Sequence, residues 1–154
     1  MTLRDEAGTL VASESGYASL DVVRVGEVSP FTILFFSEVG DWSTYEVTVE
    51  ASEANFLESY RDFEVISSSG TTGDFWAYEI VGEIRNTGSQ DAEFVQILVI
   101  LYNTDGQIIG TDFTYWDFDK VTAGGTSPFT ILVSYTSEDD IDHYELLVEG
   151  STVD

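Results

Sequence analysis

The chain has a single histidine, His143, held between Asp142 and Tyr144. A Ser/His/Asp hydrolase would need that imidazole beside an exposed serine on a strained turn backed by oxyanion donors. No G-x-S-x-G elbow supplies one. His143 is therefore read as a surface residue on the last strand, since a fold does not by itself confer chemistry. Carboxylates are the abundant reactive group. At this density neighbouring pairs arise by chance, so adjacency nominates no glycosidase acid and nucleophile. The densest run is Glu138, Asp139, Asp140 and Asp142, in a loop before the last strand, where hard oxygen ligands could converge on calcium. The spacing lacks the D-x-D-x-D-G pattern of an EF-hand loop, and a solvated acidic loop is the plainer reading. Aromatic side chains gather at Phe113, Tyr115, Trp116 and Phe118. Strand alternation puts Phe113 and Tyr115 on one face and Trp116 and Phe118 on the other. One face must be core; the other is a candidate platform for a sugar or a protein, or a cover for a neighbouring module or edge strand. Tyr115, Trp116, Phe118 and the acidic run are thus the ligand candidates, and no catalytic residue, cofactor or metal site is expected.

Composition narrows the classes further. In 154 residues, 29 acidic side chains face 5 basic ones, for a formal net charge of −24, and Lys120 is the only lysine. Nucleic acid is excluded as a partner, because phosphate binding depends on a Lys/Arg surface that releases counterions. With no cysteine and one histidine, neither a disulfide framework nor a Cys/His zinc site is available. The longest apolar run, Ile97 to Tyr102, falls far short of the roughly 20 residues of a membrane helix, so no direct membrane insertion is expected. No signal-peptide pattern opens the sequence, and Met1 runs straight into strand-like residues, which reads as a boundary inside a longer protein.

The elements that would position these residues are organised by a repeat. The hexapeptide Ser-Pro-Phe-Thr-Ile-Leu occurs at Ser29 to Leu34 and again 98 positions later, with Ser127 standing for Ser29. At the same spacing Leu3 meets Leu101, Gly8 meets Gly106 and Tyr17 meets Tyr115. One inserted residue then brings Tyr45, Val49 and Ser52 to Tyr144, Val148 and Ser151, 99 positions on. Residues between Tyr60 and Leu101 have no counterpart before Leu3. The expected organisation is residues 1–52 as the C-terminal half of a first module, 53–60 as a linker and 61–154 as a complete module.

Period two dominates the complete module. Phe94 to Tyr102 is apolar on both faces, as a central strand requires. Asp105-Gly106 marks a hairpin turn returning through Gln107 to Gly110. Trp76, Tyr78, Ile80, Gly82 and Ile84 share one parity of a half-buried strand. Gly124-Gly125 marks another turn, and the last two strands are read over Pro128 to Tyr135 and His143 to Glu149. No segment holds a helical period. The fold class is all-β, an antiparallel immunoglobulin-like sandwich of about seven strands, as a tandem repeat with the first copy truncated.

Three stretches carry a family likeness: Val81-Gly82-Glu83-Ile84-Arg85-Asn86-Thr87-Gly88, Val99-Ile100-Leu101-Tyr102-Asn103-Thr104-Asp105-Gly106, and Gly124 to Phe129. They resemble the FxLYD domain, an immunoglobulin-like or fibronectin-III-like sandwich of bacterial and archaeal envelope or secreted proteins. That family has a V-x-G-x-V-x-N-x-G strand, an F-x-L-Y-D strand end with a following D-x-x-G, and a late glycine turn before a phenylalanine. Val99 stands in place of the naming phenylalanine and Asn103 in place of the aspartate. In the first copy Leu3 and Asp5 keep two positions, while Arg4 replaces the tyrosine and Met1 the phenylalanine. The resemblance implies a fold and a prokaryotic extracellular or cell-envelope location, and it brings no catalytic residue.

Two further expectations follow. Residues 1–52 keep Phe31 to Phe36 without the strands that should cover them, and an open apolar face invites association. The fragment is expected to pack on the complete module or to pair with another chain as a homodimer. The acidity, with almost no lysine, matches a halophile's surface, hydrated in strong salt and self-repelling in dilute buffer; acidic envelope modules of ordinary organisms are the alternative. The functional expectation is a non-enzymatic surface or secreted module acting as spacer, adhesion or protein-interaction domain, with calcium or carbohydrate binding as the alternative.

Overall fold

The computed structural model describes residues 1–54, 59–72, 78–115, 120–133 and 140–152. Their regular elements are nine strands: β1 (Thr2–Arg4), β2 (Leu10–Ser13), β3 (Thr44–Glu46), β4 (Phe63–Thr72), β5 (Tyr78–Asn86), β6 (Ala92–Tyr102), β7 (Ile108–Tyr115), β8 (Thr126–Val133) and β9 (His143–Thr152). Every pairing is antiparallel. Among the described residues no helix is long and apolar enough to cross a membrane. The chain divides into two compact units, Met1–Phe56 and Leu57–Asp154. Tyr60, read from sequence as linker, belongs to the second unit. Its backbone N–H donates to the Gly150 carbonyl (2.8 Å) and its carbonyl accepts from the Gly150 N–H (3.0 Å).

The second unit is a sandwich of two three-stranded sheets, ordered β4-β5-β8 and β7-β6-β9. Its core is made where inward parities meet: Ile80 and Ile84 from β5, Val95, Ile97, Val99 and Leu101 from β6, and Phe129, Ile131 and Val133 from β8. β6 is paired along both edges, and its run from Ile97 to Tyr102 is continuously apolar because each residue from Ile97 to Leu101 is buried, whichever face it points to. β8 alternates strictly, with Ser127, Phe129, Ile131 and Val133 buried and the residues between them exposed. Gly82 pairs with Phe129, and a side chain there would run into the Phe129 ring and the Ser67 carbonyl, so glycine sets how closely β4, β5 and β8 approach. Six strands are described here where about seven were expected. The addition to the strands read from sequence is β4, and β7 runs on past Gly110 to Tyr115.

A buried side-chain network closes one end of this sandwich. Asn86 is fully buried, and its Nδ2 donates to the carbonyls of Gln90 (2.8 Å) and Val121 (2.9 Å). Its Oδ1 accepts from the Tyr60 hydroxyl (2.8 Å) and the Gly88 N–H (3.1 Å). Its backbone N–H donates to the Gly125 carbonyl and its carbonyl accepts from the Gly124 N–H, both at 2.9 Å. One asparagine thus binds the end of β5 to two loops. This is the physical content of the Asn86-Thr87-Gly88 pattern.

The first unit contains one sheet, ordered β2-β1-β3. Leu3 pairs with Ala12 and Tyr45, Thr2 with Ser13 and Glu46, and Arg4 with Leu10 and Thr44. In the second unit Leu101 pairs with Gly110 and Tyr144, Ile100 with Thr111 and Glu145, and Tyr102 with Ile108 and His143. Each β1–β2 pair recurs 98 positions later, and each β3 partner 99 later. The register slip between Leu3 and Arg4 recurs between Leu101 and Tyr102. So does the turn: Asp5 Oδ1 accepts from the N–H groups of Ala7 and Thr9 (2.9 and 2.8 Å), as Asn103 Oδ1 does from Asp105 and Gln107 (3.1 and 2.9 Å). Gly8 and Gly106 close it at φ +79° and +72°, a conformation only glycine adopts without strain. Where the units differ is the hexapeptide: β8 is a full ladder strand on β5, whereas residues 29–34 form only an isolated bridge between Phe31 and Ala18.

Candidate functional site

The pleat sends alternate residues of β6 away from the core, so register decides what shares that outer face of the β7-β6-β9 sheet. Four rungs result. Tyr102 lies beside His143, Ile100 between Thr111 and Glu145, Leu98 between Phe113 and Leu147, and Gln96 between Tyr115 and Glu149. Every chemically distinctive side chain singled out near these strands that the structure describes, apart from Asp140, lies on this face or at its end.

At the lower rung the His143 ring stacks on Tyr102, with centroids 4.9 Å apart and planes 9° from parallel. His143 Nδ1 lies 2.9 Å from Asp142 Oδ2, and the Tyr102 hydroxyl donates to Glu145 Oε2 at 3.1 Å. Burial, then the Glu145 hydrogen bond and charge, raise the Tyr102 pKa above its ordinary value. The Asp142 N–H donates to the Tyr102 carbonyl (2.8 Å), which fixes the aspartate beside the ring. Of the acidic run, Asp140 and Asp142 are exposed, while Glu138 and Asp139 lie outside the described residues. Among the described residues no group of three or more histidines and carboxylates is placed to hold a metal ion.

At the upper rungs Phe113 and Tyr115 share the outer face, half exposed at 50% and 55%. Trp116 and Phe118 lie outside the described residues. The two rings meet edge to face, 5.2 Å apart at 72°. Rings so inclined do not make one flat platform, so a sugar ring would stack on one of them rather than bridge both. Next to them is an ion pair that sequence reading did not single out. Arg61 Nη2 lies 3.1 Å from Glu149 Oε2 with both side chains largely buried, and the Ser59 hydroxyl donates to the same oxygen at 3.3 Å. Eighty-eight positions separate the partners, and the only hint was an arginine in a chain so short of them.

Two further features stand out. β6 slips in register against β9 between Glu93 and Gln96, and Phe94, within that bulge, has φ +50°, the one non-glycine positive φ among the described residues. The bulge turns Val95 into the core and leaves Phe94 72% exposed. Lys120 Nζ pairs with Asp91 Oδ2, while Asp91 Oδ1 accepts from the Ala123 N–H (2.9 Å). The lysine and then that N–H lower the Asp91 pKa, and the carboxylate raises that of Lys120.

In the first unit the candidate is the hexapeptide segment itself. Phe31 is 49% exposed where the matching Phe129 is 5% exposed, and Ile33 and Phe35 are half-buried where Ile131 and Val133 are buried, while Leu34 is as exposed as its match Leu132. No protein-family model matches the chain, and neither a curated protein nor a solved structure does.

Proposed function

We propose that the chain is a stretch of tandem, non-enzymatic β-sandwich modules of the FxLYD type, serving as spacer and protein-interaction surface in a prokaryotic extracellular or cell-envelope protein. The observation that carries this reading is the rung-by-rung agreement between β2-β1-β3 and β7-β6-β9 at spacings of 98 and 99 residues. Duplication of a whole sheet, including its register slip and its glycine turn, is how arrays of stacked or strung modules arise. The family proposal rests on the Asn86 network and the Leu101-Tyr102 strand end, which give those motif positions structural work. Partners are a neighbouring module or another protein.

The non-enzymatic part is supported by how the one imidazole is spent. His143 is stacked on Tyr102 and bonded to Asp142 at an exposed strand end. A second reading, carbohydrate binding, is favoured by the half-exposed Phe113 and Tyr115 rings; calcium at the Glu138 to Asp142 loop belongs to the same class. Titration calorimetry with calcium and a glycan array on the full chain separate the two. The spacer reading expects no saturable heat and no glycan signal. A glycan signal abolished by Tyr115→Ala, or stoichiometric calcium heat abolished by Asp142→Asn, would replace it.

A further inference from the structure

Three aromatic rings follow one another along the outer face of the β7-β6-β9 sheet, and one of them is held there against the preference of its backbone. Glu93 and Gln96 of β6 share that face through their partners Ser151 and Glu149, and Phe94 stands in the bulge between them, 72% exposed. One rung on, Tyr115 lies opposite Gln96, and the next rung sets Phe113 opposite Leu98. Beneath the rings the face is closed, since Gln96, Leu98 and Ile100 are all buried. Solvent therefore meets a ridge of ring surface rather than a cavity. Glycine takes a left-handed bulge position without strain, and a ring so exposed buries too little to offset what that backbone costs a phenylalanine. Strain that the packing does not require is characteristic of a surface kept for recognition.

The charges around the ridge select the partner. Glu93 lies at its Phe94 end, Glu145 and Asp142 lie toward the other, and no lysine or arginine occupies the rungs between. The Arg61 guanidinium beside Glu149 is matched by that carboxylate. Aromatic faces are electron-rich, so rings and carboxylates attract the same group, a cation laid over the ring. We propose that this face binds a basic segment of another protein, whose arginine side chains stack on Phe94, Phe113 and Tyr115 while Glu93 and Glu145 match their charge. The proposal names the partner in the protein-interaction reading above and rests on that reading. Arginine suits the site better than lysine because a planar guanidinium stacks on a ring and still donates to a carboxylate. A second copy of the chain does not fit, since two copies at −24 each repel. A sugar would meet the rings but bring no charge to the carboxylates.

The test titrates a synthetic peptide of alternating arginine and glycine into the isotope-labelled full chain and follows backbone amide shifts, at about 0.15 M salt, where attraction beyond roughly 8 Å is screened. The expected result is saturable shifts confined to residues 93–98, 111–115 and 145–149. Phe94→Gly and Phe113→Leu each weaken binding by about threefold or more, the leucine keeping apolar bulk but not the ring face. Phe94→Gly does so without a fall in Tm, which separates a lost contact from a lost fold. Leu132→Ala, at an exposed position on the other sheet, leaves binding unchanged. The proposal is overturned if shifts spread over both units without saturating, if either ring variant binds as the wild type does, if Leu132→Ala weakens binding equally, or if Phe94→Gly lowers Tm by several degrees. A glycan signal abolished by Phe94→Gly would overturn it in favour of a sugar. Diffuse or absent peptide binding leaves the spacer reading standing, whereas a glycan signal replaces that reading, so the two fail separately.

Discussion

Phe31 and Phe129 sit at the same place in the same hexapeptide, so replacing each by alanine isolates what context does to one side chain. Phe129 is 5% exposed among Ile80, Ile84 and Ile131. Its loss removes a buried ring and leaves a cavity, a change worth about 3–5 kcal/mol. Phe31 is 49% exposed. Burying a whole phenylalanine is worth about 1.5–3 kcal/mol, so half burial with no enclosed cavity predicts about 1 kcal/mol. The assay is urea unfolding followed by backbone amide signals of β6 for the second unit and β1 for the first, because two units need not share one transition. With an m-value of about 1.5 kcal/mol/M, Phe129→Ala lowers the second unit's midpoint by about 2–3 M, and Phe31→Ala lowers the first unit's by about 0.7 M. Equal losses, or a larger loss at Phe31, would refute the claim that the two copies of the segment are packed differently.

Asn86→Ala removes four hydrogen bonds at a fully buried position, but the Val121 carbonyl keeps the Ala92 N–H and the Tyr60 hydroxyl keeps the Gln90 carbonyl, so the expected loss is about 2 kcal/mol, read by denaturation, and a loss below about 1 kcal/mol would contradict the network. Phe94→Gly is expected to stabilise by about 0.5–1 kcal/mol, because relief of roughly 1–2 kcal/mol of left-handed strain exceeds the entropy glycine adds; a fall in Tm of several degrees would show the exposed ring to be packing instead. For Asp91 the folded pKa is lowered, so its stabilisation is present above the unfolded value of about 3.9 and is lost as pH falls through the folded one. For Lys120 the folded pKa is raised, so its share is present below about 10.4 and is lost as pH rises through the folded value. The Tm gap between wild type and Lys120→Met should therefore be widest between these limits and close at either end, and a gap independent of pH would rule out the ion pair as its source. At −24 the chain's own repulsion predicts a Tm that climbs from low to molar sodium chloride, and a flat curve would reject a halophilic origin of the acidity.

The strands that were legible in the sequence are those whose pattern is fixed by burial. β6 is apolar from Ile97 to Tyr102 because every residue from Ile97 to Leu101 is buried, and β8 alternates because one face is core. β4 escaped because, after Phe63 and Val65, it runs through Ser67, Ser68, Ser69, Gly70 and Thr71, an edge whose residues are mostly exposed and so under no apolar constraint. At the site, alternation alone placed Phe113 and Tyr115 together. The Tyr102–His143 stack and the Arg61–Glu149 pair were invisible for a different reason: each joins residues that only strand register or chain return brings near, and single-strand period carries no information about register.

The hexapeptide sharpens that limit. Its β-propensity is the same in both copies by identity, yet it is a strand only where β5 lies beside it. Intrinsic preference therefore does not form this strand; the ladder and the inward seats for Phe129, Ile131 and Val133 do. The converse holds for the Asp5 and Asn103 turns, which close alike in both units because every bond they make lies within five residues. Local chemistry thus repeats wherever the sequence repeats, and long-range structure repeats only where its partner is supplied. That asymmetry is why the first unit keeps the turn and register of its sheet while the hexapeptide in it makes only the isolated Phe31–Ala18 bridge.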